Sequence, residues 1–149
     1  MILEGRKIQM NIDIEPYDID AAGHVNNLAC IRWLENMRTR LLAGIIPLKK
    51  LLAKNIYPVV ISTEAKYKKL IKLFDKPAGS LMLKYYAHGY MILNAVICVK
   101  GIPVFTAIQK CVLMDLVSSK MLAAKIRNQI FKDEPEDKIE IKQNNLILN

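Results

Sequence analysis

The sequence predicts an α+β fold, one long amphipathic helix set against a curved antiparallel sheet of five strands. Three observations predict it. The segment "KIQMNIDI", residues 7–14, alternates apolar and polar residues as a half-buried strand does. From Leu28 the period changes to three and four, through Ile31, Leu34, Met37 and Leu41, with Cys30 and Trp33 widening the apolar face. Beyond Pro58 alternation returns in segments punctuated by "DKPAG", "HG" and "KGIP", the rhythm of an antiparallel meander.

In the first strand Ile8, Met10, Ile12 and Ile14 share one face, and Pro16 ends it. A polar run, "YDIDAAGHVNN" at 17–27, comes next. Asn26 and Asn27 are placed to cap the helix, Gly44 to follow its last turn as a C′ glycine, and Pro47 to prevent continuation. Those signals bound a helix over about 28–43, and "LKKLLAK" at 48–54 reads as a shorter helical piece. Further on, Val59, Ile61, Thr63, Ala65 and Tyr67 alternate against Ser62, Glu64, Lys66 and Lys68. The alternation slips at Lys69, which suggests a bulge in a long strand, although the lysines also suit the face of a basic helix. A turn at 75–79 and strands at about 80–87, 90–99 and 104–114 follow. The strand at 90–99 is apolar on both faces, as expected where a helix covers one side and a further layer or subunit the other. Residues 118–131 read as a closing helix, residues 1–132 as a single domain, and 133–149 as a polar tail.

Composition bounds the function. The chain has 149 residues, 52% of them apolar, which suits one domain with a real core and excludes a disordered chain. Charges interrupt the opening "MILEGRKIQM" where a signal peptide needs its apolar region, and "YMILNAVICV" is about half the length of a membrane span. Cys30, Cys98 and Cys111 are widely spaced and odd in number, which fits reduced core residues rather than a disulfide framework or a zinc site. A cytoplasmic protein is the expectation. The net charge is +8, yet residues 1–35 carry three basic and six acidic residues, whereas 36–114 carry thirteen basic residues against Glu64 and Asp75 alone. That field suits nucleic acid, an anionic membrane surface, a phosphate-bearing cofactor such as coenzyme A, or an acidic carrier protein. Charge alone is explained as well by a solvated, lysine-rich surface.

The run "DIDAAGHVNNLACIRWLENMR", residues 18–38, resembles the signature of the 4-hydroxybenzoyl-CoA thioesterase family, the hot-dog-fold acyl thioesterases. The matching positions are Asp18, Asp20, Gly23, His24, Val25, Asn26 and Asn27, with Trp33, Glu35 and Arg38 on the helix, and the resemblance extends to about Asp115. It implies a long central helix wrapped by a curved five-stranded antiparallel sheet. It further implies a homodimer or homotetramer with the active site at the subunit interface. The implied reaction is hydrolysis of acyl-CoA or acyl-carrier-protein thioesters without metal or organic cofactor.

Hydrolysing a thioester requires a carboxylate nucleophile or activated water, and donors for the charge developing on the carbonyl oxygen. By the resemblance Asp20 is that carboxylate and the Asn27 backbone N–H, at the positive end of a helix, is the donor. His24 completes the catalytic set and is expected to orient the loop or hydrogen-bond near Asp20. Gly23, Val25 and Asn26 are the expected substrate-binding residues, Gly23 because it permits close approach. Glu35 and Arg38 stand three apart and read as a structural pair, Trp33 as core or tunnel wall, Glu64 as a solvated strand residue, and His88 as part of a hairpin turn. Two other readings compete. A hot-dog module that binds acyl groups without cleaving them shares the fold, and Ala22 stands where plant acyl-carrier-protein thioesterases carry Asn. A nucleic-acid-binding protein is suggested by the net charge only and has no motif behind it.

Overall fold

Alternation over residues 7–14 yields strand β1, Lys7–Asn11, in the computed structural model, which describes residues 3–122 and Ile130. A 3-10 turn at Pro16–Asp18 precedes helix α1, Asn27–Ile45. The short helix α2 spans Leu48–Ala53. Strands β2 (Ile56–Tyr67), β3 (Ala78–Ala87), β4 (Tyr90–Val99) and β5 (Ile102–Asp115) follow, and β6 is the two-residue Lys120–Met121. All pairings are antiparallel, in the order β1-β3-β4-β5-β2, with β6 added on β5. One inward row runs across the five main strands through Ile8, Leu81, Ala95, Ala107 and Ala65. Against that face α1 buries Ala29, Cys30, Trp33, Leu34, Met37, Leu41 and Ile45, so the helix is the axis about which the sheet curls. Two-residue turns at His88-Gly89 and Lys100-Gly101, all four residues at positive φ, close the meander with the right twist. His88 has the turn role expected of it.

Several sequence expectations are corrected. Gly44 lies inside α1 and is not its C′ residue. The helix continues because Ile45 and Ile46 are both buried, and Ile46 closes it with its N–H on the Leu42 carbonyl at 2.8 Å. In β2 the pairing with β5 shifts between Val60 and Ser62, so Ile61 is an extra residue. That bulge switches phase: Ile56, Pro58 and Val60 point inward before it, Thr63 and Ala65 after it, and Val59 does not share their face. A second two-against-one contact stands where the slip was read, with the N–H groups of Lys68 and Lys69 sharing the Val104 carbonyl at 2.8 and 3.2 Å. The turn expected at 75–79 falls earlier, at 72–75, and Gly79 belongs to β3. A Cβ at Gly79 would lie 2.6 Å from Met37 Sδ, so the missing side chain makes room for the helix. The closing helix does not begin at 118. Asp115 Oδ1 accepts the Val117 N–H at 2.8 Å, Ser119 takes positive φ, and the chain folds back into β6. Ile130 is helical and buried, while residues 123–129 and the tail lie outside the described residues.

Three polar side chains link the helix to the sheet. Arg38 is buried on α1, donates to Gln109 Oε1 of β5 at 3.0 Å, and pairs with Glu35 at 3.4 Å as its i,i+3 spacing indicated. Gln109 in turn donates to Thr63 Oγ1 of β2 at 3.0 Å. This chain ties the helix to the edge strand that carries one wall of the site.

Candidate functional site

Residues 19–25 form a small hairpin. Ile19 pairs with Val25, the Gly23 N–H reaches the Asp20 carbonyl at 3.0 Å, and the Asp20 N–H reaches the His24 carbonyl at 2.8 Å. This three-residue connection needs a left-handed residue at its third position, and Gly23 supplies it with φ of +82°. The Asp20 side chain supports the loop from within: Oδ1 accepts the N–H of Ala22 at 2.9 Å and of His24 at 3.2 Å. Asp20 itself is exposed, and its Oδ2 accepts no hydrogen bond among the described residues. The expected contact between His24 and Asp20 therefore exists, made by the backbone and not by the imidazole.

Asp18 holds the hairpin onto the helix. Only 2% exposed, it pairs with Arg32 on α1, and its Oδ2 accepts the Glu15 N–H at 3.0 Å. Its carbonyl accepts both the N–H and the Nδ2 of Asn26, at 2.8 and 2.9 Å. Asn26 Oδ1 then accepts the Ala29 N–H at 2.8 Å, which makes it the N-cap of α1. Both ends of the Asn26 amide thus serve the backbone. The N–H groups of Asn27 and Leu28, next in the first turn, meet no acceptor among the described residues. Two uncommitted donors at the positive end of a helix form a seat for an oxygen carrying negative charge.

Beside this helix start lies a pocket of about 140 Å³. Val25, Cys30, Ile71, Val104 and Phe105 form its buried apolar floor, with Asn27, Tyr67, Lys68, Lys69 and Leu70 around the rim. The connection after β2 is tied to the hairpin where Val25 N–H meets the Ile71 carbonyl at 2.8 Å and His24 pairs with Lys72. Tyr67 donates to the Asn27 carbonyl at 3.1 Å, and burial together with nearby Cys30 raises its pKa, so the phenol keeps its proton. Burial also pushes the Cys30 thiol up to about 11; the Asp18 charge adds to the rise and Cys30's own backbone N–H opposes it. A thiol in that state is packing, not a nucleophile. Trp33 is buried and lines a different, polar cleft of about 420 Å³ between β1 and α1, so it is no wall of the smaller pocket. Glu64 is solvated and pairs with Lys66 at 3.5 Å, as a strand-surface residue does.

Of the residues singled out in the sequence, the structure places Asp20, Gly23, His24, Val25, Asn26 and Asn27 in one hydrogen-bonded unit, with Val25 and Asn27 lining the pocket. Sequence reasoning missed the wall contributed from afar, Tyr67, Ile71 and Phe105, and the Asp18–Arg32 pair. The slip in alternation near Lys69 was the one available signal for the first of these.

A family model described as the thioesterase-like superfamily matches residues 14–135. No curated protein matches the chain. Among solved structures, it is similar to the probable thioesterase YbaW of Escherichia coli, at 27% identity over 83% of this chain and 98% of that one, with a TM-score of 0.70. It is also similar to a DHNA-CoA thioesterase of Staphylococcus aureus, at 14% identity, 85% and 89% coverage and a TM-score of 0.75. A thioesterase of Thermus thermophilus complexed with coenzyme A and Zn matches at 21% identity, 82% and 95% coverage and a TM-score of 0.68.

Proposed function

The chain belongs to the thioesterase-like superfamily and has the hot-dog fold, and from that premise we propose that it hydrolyses acyl-CoA thioesters to a carboxylic acid and free coenzyme A. Membership supports thioester hydrolysis as the class of reaction. The observation that carries the finer reading is a helix start with two uncommitted N–H groups beside an apolar pocket, led into by the hairpin that bears the exposed Asp20 carboxylate. CoA as the carrier is supported by the relative complexed with it.

In this reading the acyl group enters the pocket and the thioester oxygen accepts the Asn27 N–H. Removing one such donor costs on the order of 3 kcal/mol of transition-state stabilisation. Asp20 acts through Oδ2, because Oδ1 is held by Ala22 and His24. Two routes use the same geometry. Asp20 adds to the acyl carbon, expels the CoA thiolate and leaves an anhydride that water opens. Alternatively it takes a proton from water as the hydroxide adds, the C–S bond breaks, and the proton passes to the departing sulfur. His24 positions the carboxylate through its N–H, Gly23 permits the tight loop, Val25 floors the pocket, and Asn26 holds the helix start in place.

Pocket size narrows the substrate. An apolar cavity of about 150 Å³ holds a benzene ring, so 140 Å³ suits an aryl or short acyl group. This agrees with the resemblance to 4-hydroxybenzoyl-CoA thioesterases. The protein works as a homo-oligomer in this reading. Strand β2 is a sheet edge that carries exposed Ile61, at 50%, and exposed Tyr67 at its far end, and Leu28 in the first turn of α1 is exposed as well, apolar surface that a second copy would cover. A cytoplasmic location is part of this reading, supported by three unbridged cysteines.

The test is release of free thiol from a panel running from acetyl- to palmitoyl-CoA with benzoyl- and 4-hydroxybenzoyl-CoA, and the same acyl groups on carrier protein. Turnover is expected on CoA thioesters, highest for benzoyl or short chains. Binding of acyl-CoA without hydrolysis of any member would establish an acyl-binding module instead.

A further inference from the structure

The connection between β2 and β3 carries positive charge that no ion pair among the described residues neutralises. Lys68, Lys69, Lys72 and Lys76 are exposed and form no ion pair among the described residues. The one carboxylate in this stretch, Asp75, is occupied with shaping it. Its Oδ2 accepts the Lys72 N–H at 2.8 Å, and its own N–H closes the turn on the Lys72 carbonyl at 3.0 Å. At the crest of that turn stands Phe74, 91% exposed. A bare aromatic ring flanked by lysines is the chemistry that receives a polyanion carrying an aromatic base, the cations meeting phosphates and the ring meeting the base's π-face.

Position gives the turn its significance. Two backbone pairings, Val25 to Ile71 and His24 to Lys72, fix it to the hairpin that carries Asp20. Lys68 and Lys69 stand on the rim of the acyl pocket itself. A substrate whose acyl end enters that pocket leads its tail out past these lysines, and Lys76 lies within about 18 Å of chain from Ile71.

We propose that the Lys72–Lys76 turn is the seat for the nucleotide end of coenzyme A, with Phe74 stacking on the adenine and Lys68, Lys69, Lys72 and Lys76 meeting the phosphates. This rests on the acyl-CoA reading above. The seat selects CoA thioesters over thioesters that lack the nucleotide, and its contribution weakens with added salt.

The test compares kcat/KM for one acyl group carried on CoA, on 3′-dephospho-CoA and on pantetheine, with direct calorimetric binding of free CoA beside it. In the wild type the order is CoA, then dephospho-CoA, then pantetheine. Phe74→Ala, which removes an exposed side chain and leaves the core intact, lowers kcat/KM on CoA about tenfold through KM. The pair Lys72→Glu and Lys76→Glu lowers it further, and both variants leave pantetheine turnover unchanged. Weakened binding of free CoA by the variants supports the seat even where the wild type cleaves no thioester, an outcome that would overturn the hydrolase reading alone. Three results overturn the seat: CoA binding and turnover that the variants do not alter; equal losses on CoA and pantetheine; or a change of assembled mass in Phe74→Ala, which places the ring at a subunit interface.

Discussion

Replacing Asn26 with alanine tests the joint on which the whole site turns. The substitution deletes the cap on Ala29 and the Nδ2 bond to the Asp18 carbonyl, while the Asn26 backbone bond to that carbonyl survives. Loss of an asparagine cap costs about 1 kcal/mol, and loss of a part-buried neutral hydrogen bond about 1 kcal/mol more. The acceptor keeps one partner, so no further desolvation penalty follows. The expected loss is about 2 kcal/mol, or a fall in Tm of roughly 4–8 °C for a chain of this size. Asn26→Asp separates the two contributions. It keeps the cap acceptor and adds a charge that the helix start favours by about 0.3–1 kcal/mol, so it should lie within about 1 kcal/mol of wild type. Urea denaturation followed by circular dichroism reads both variants. A loss below about 0.5 kcal/mol in Asn26→Ala, or equal losses in the two variants, would refute the capping argument.

Other consequences follow from the packing and the charges. Gly79→Ala places a Cβ 2.6 Å from Met37 Sδ and 3.1 Å from Ile12 Cδ1, at a cost of about 1–3 kcal/mol; in a double-mutant cycle that cost shrinks when Met37 is already alanine. Burial raises Cys30 and Cys111 from an ordinary 9.0 to about 11. Between those values the unfolded chain releases protons that the folded one retains, so stability measured by denaturation falls as pH rises from 9 towards 11. At pH 8, alkylation read by mass spectrometry should mark partly exposed Cys98 before either buried thiol. Ile61→Lys sets a charge on the β2 edge and should reduce the mass seen by light scattering to that of a single chain.

What could be read from the sequence was what is local. Capping by Asn26 and the apolar stripe of α1 depend on neighbours within four residues, and each is found in place. The fold class followed because the two periods, helical after Leu28 and alternating after Pro58, are long enough to be distinct. Misreadings came where distant packing outranked a local signal. Gly44 has the chemistry of a helix end, yet burial of Ile45 and Ile46 carries the helix past it. Gly79 resembles a turn residue, and its purpose is visible only when Met37, from another element, is set against it. Alternation located β2 but not the extra residue at Ile61, because register is decided by pairing with β5. The same holds for the site. The polar run at 17–27 is contiguous and stood out in the sequence, although its hairpin pairing did not, whereas the pocket's far wall, Tyr67, Ile71 and Phe105, is assembled by sheet topology that no short spacing encodes.

The central claim is that Asp20, on the hairpin that leads into α1, carries thioester hydrolysis. The most direct measurement is free-thiol release from the preferred acyl-CoA by wild type and by Asp20→Asn, with circular dichroism confirming that both are folded. Asparagine keeps an oxygen able to accept the Ala22 and His24 N–H bonds but provides neither a nucleophilic carboxylate nor a base. The account predicts a folded variant with kcat reduced by about 10²–10⁴-fold. A folded variant that retains most of the wild-type rate would contradict it.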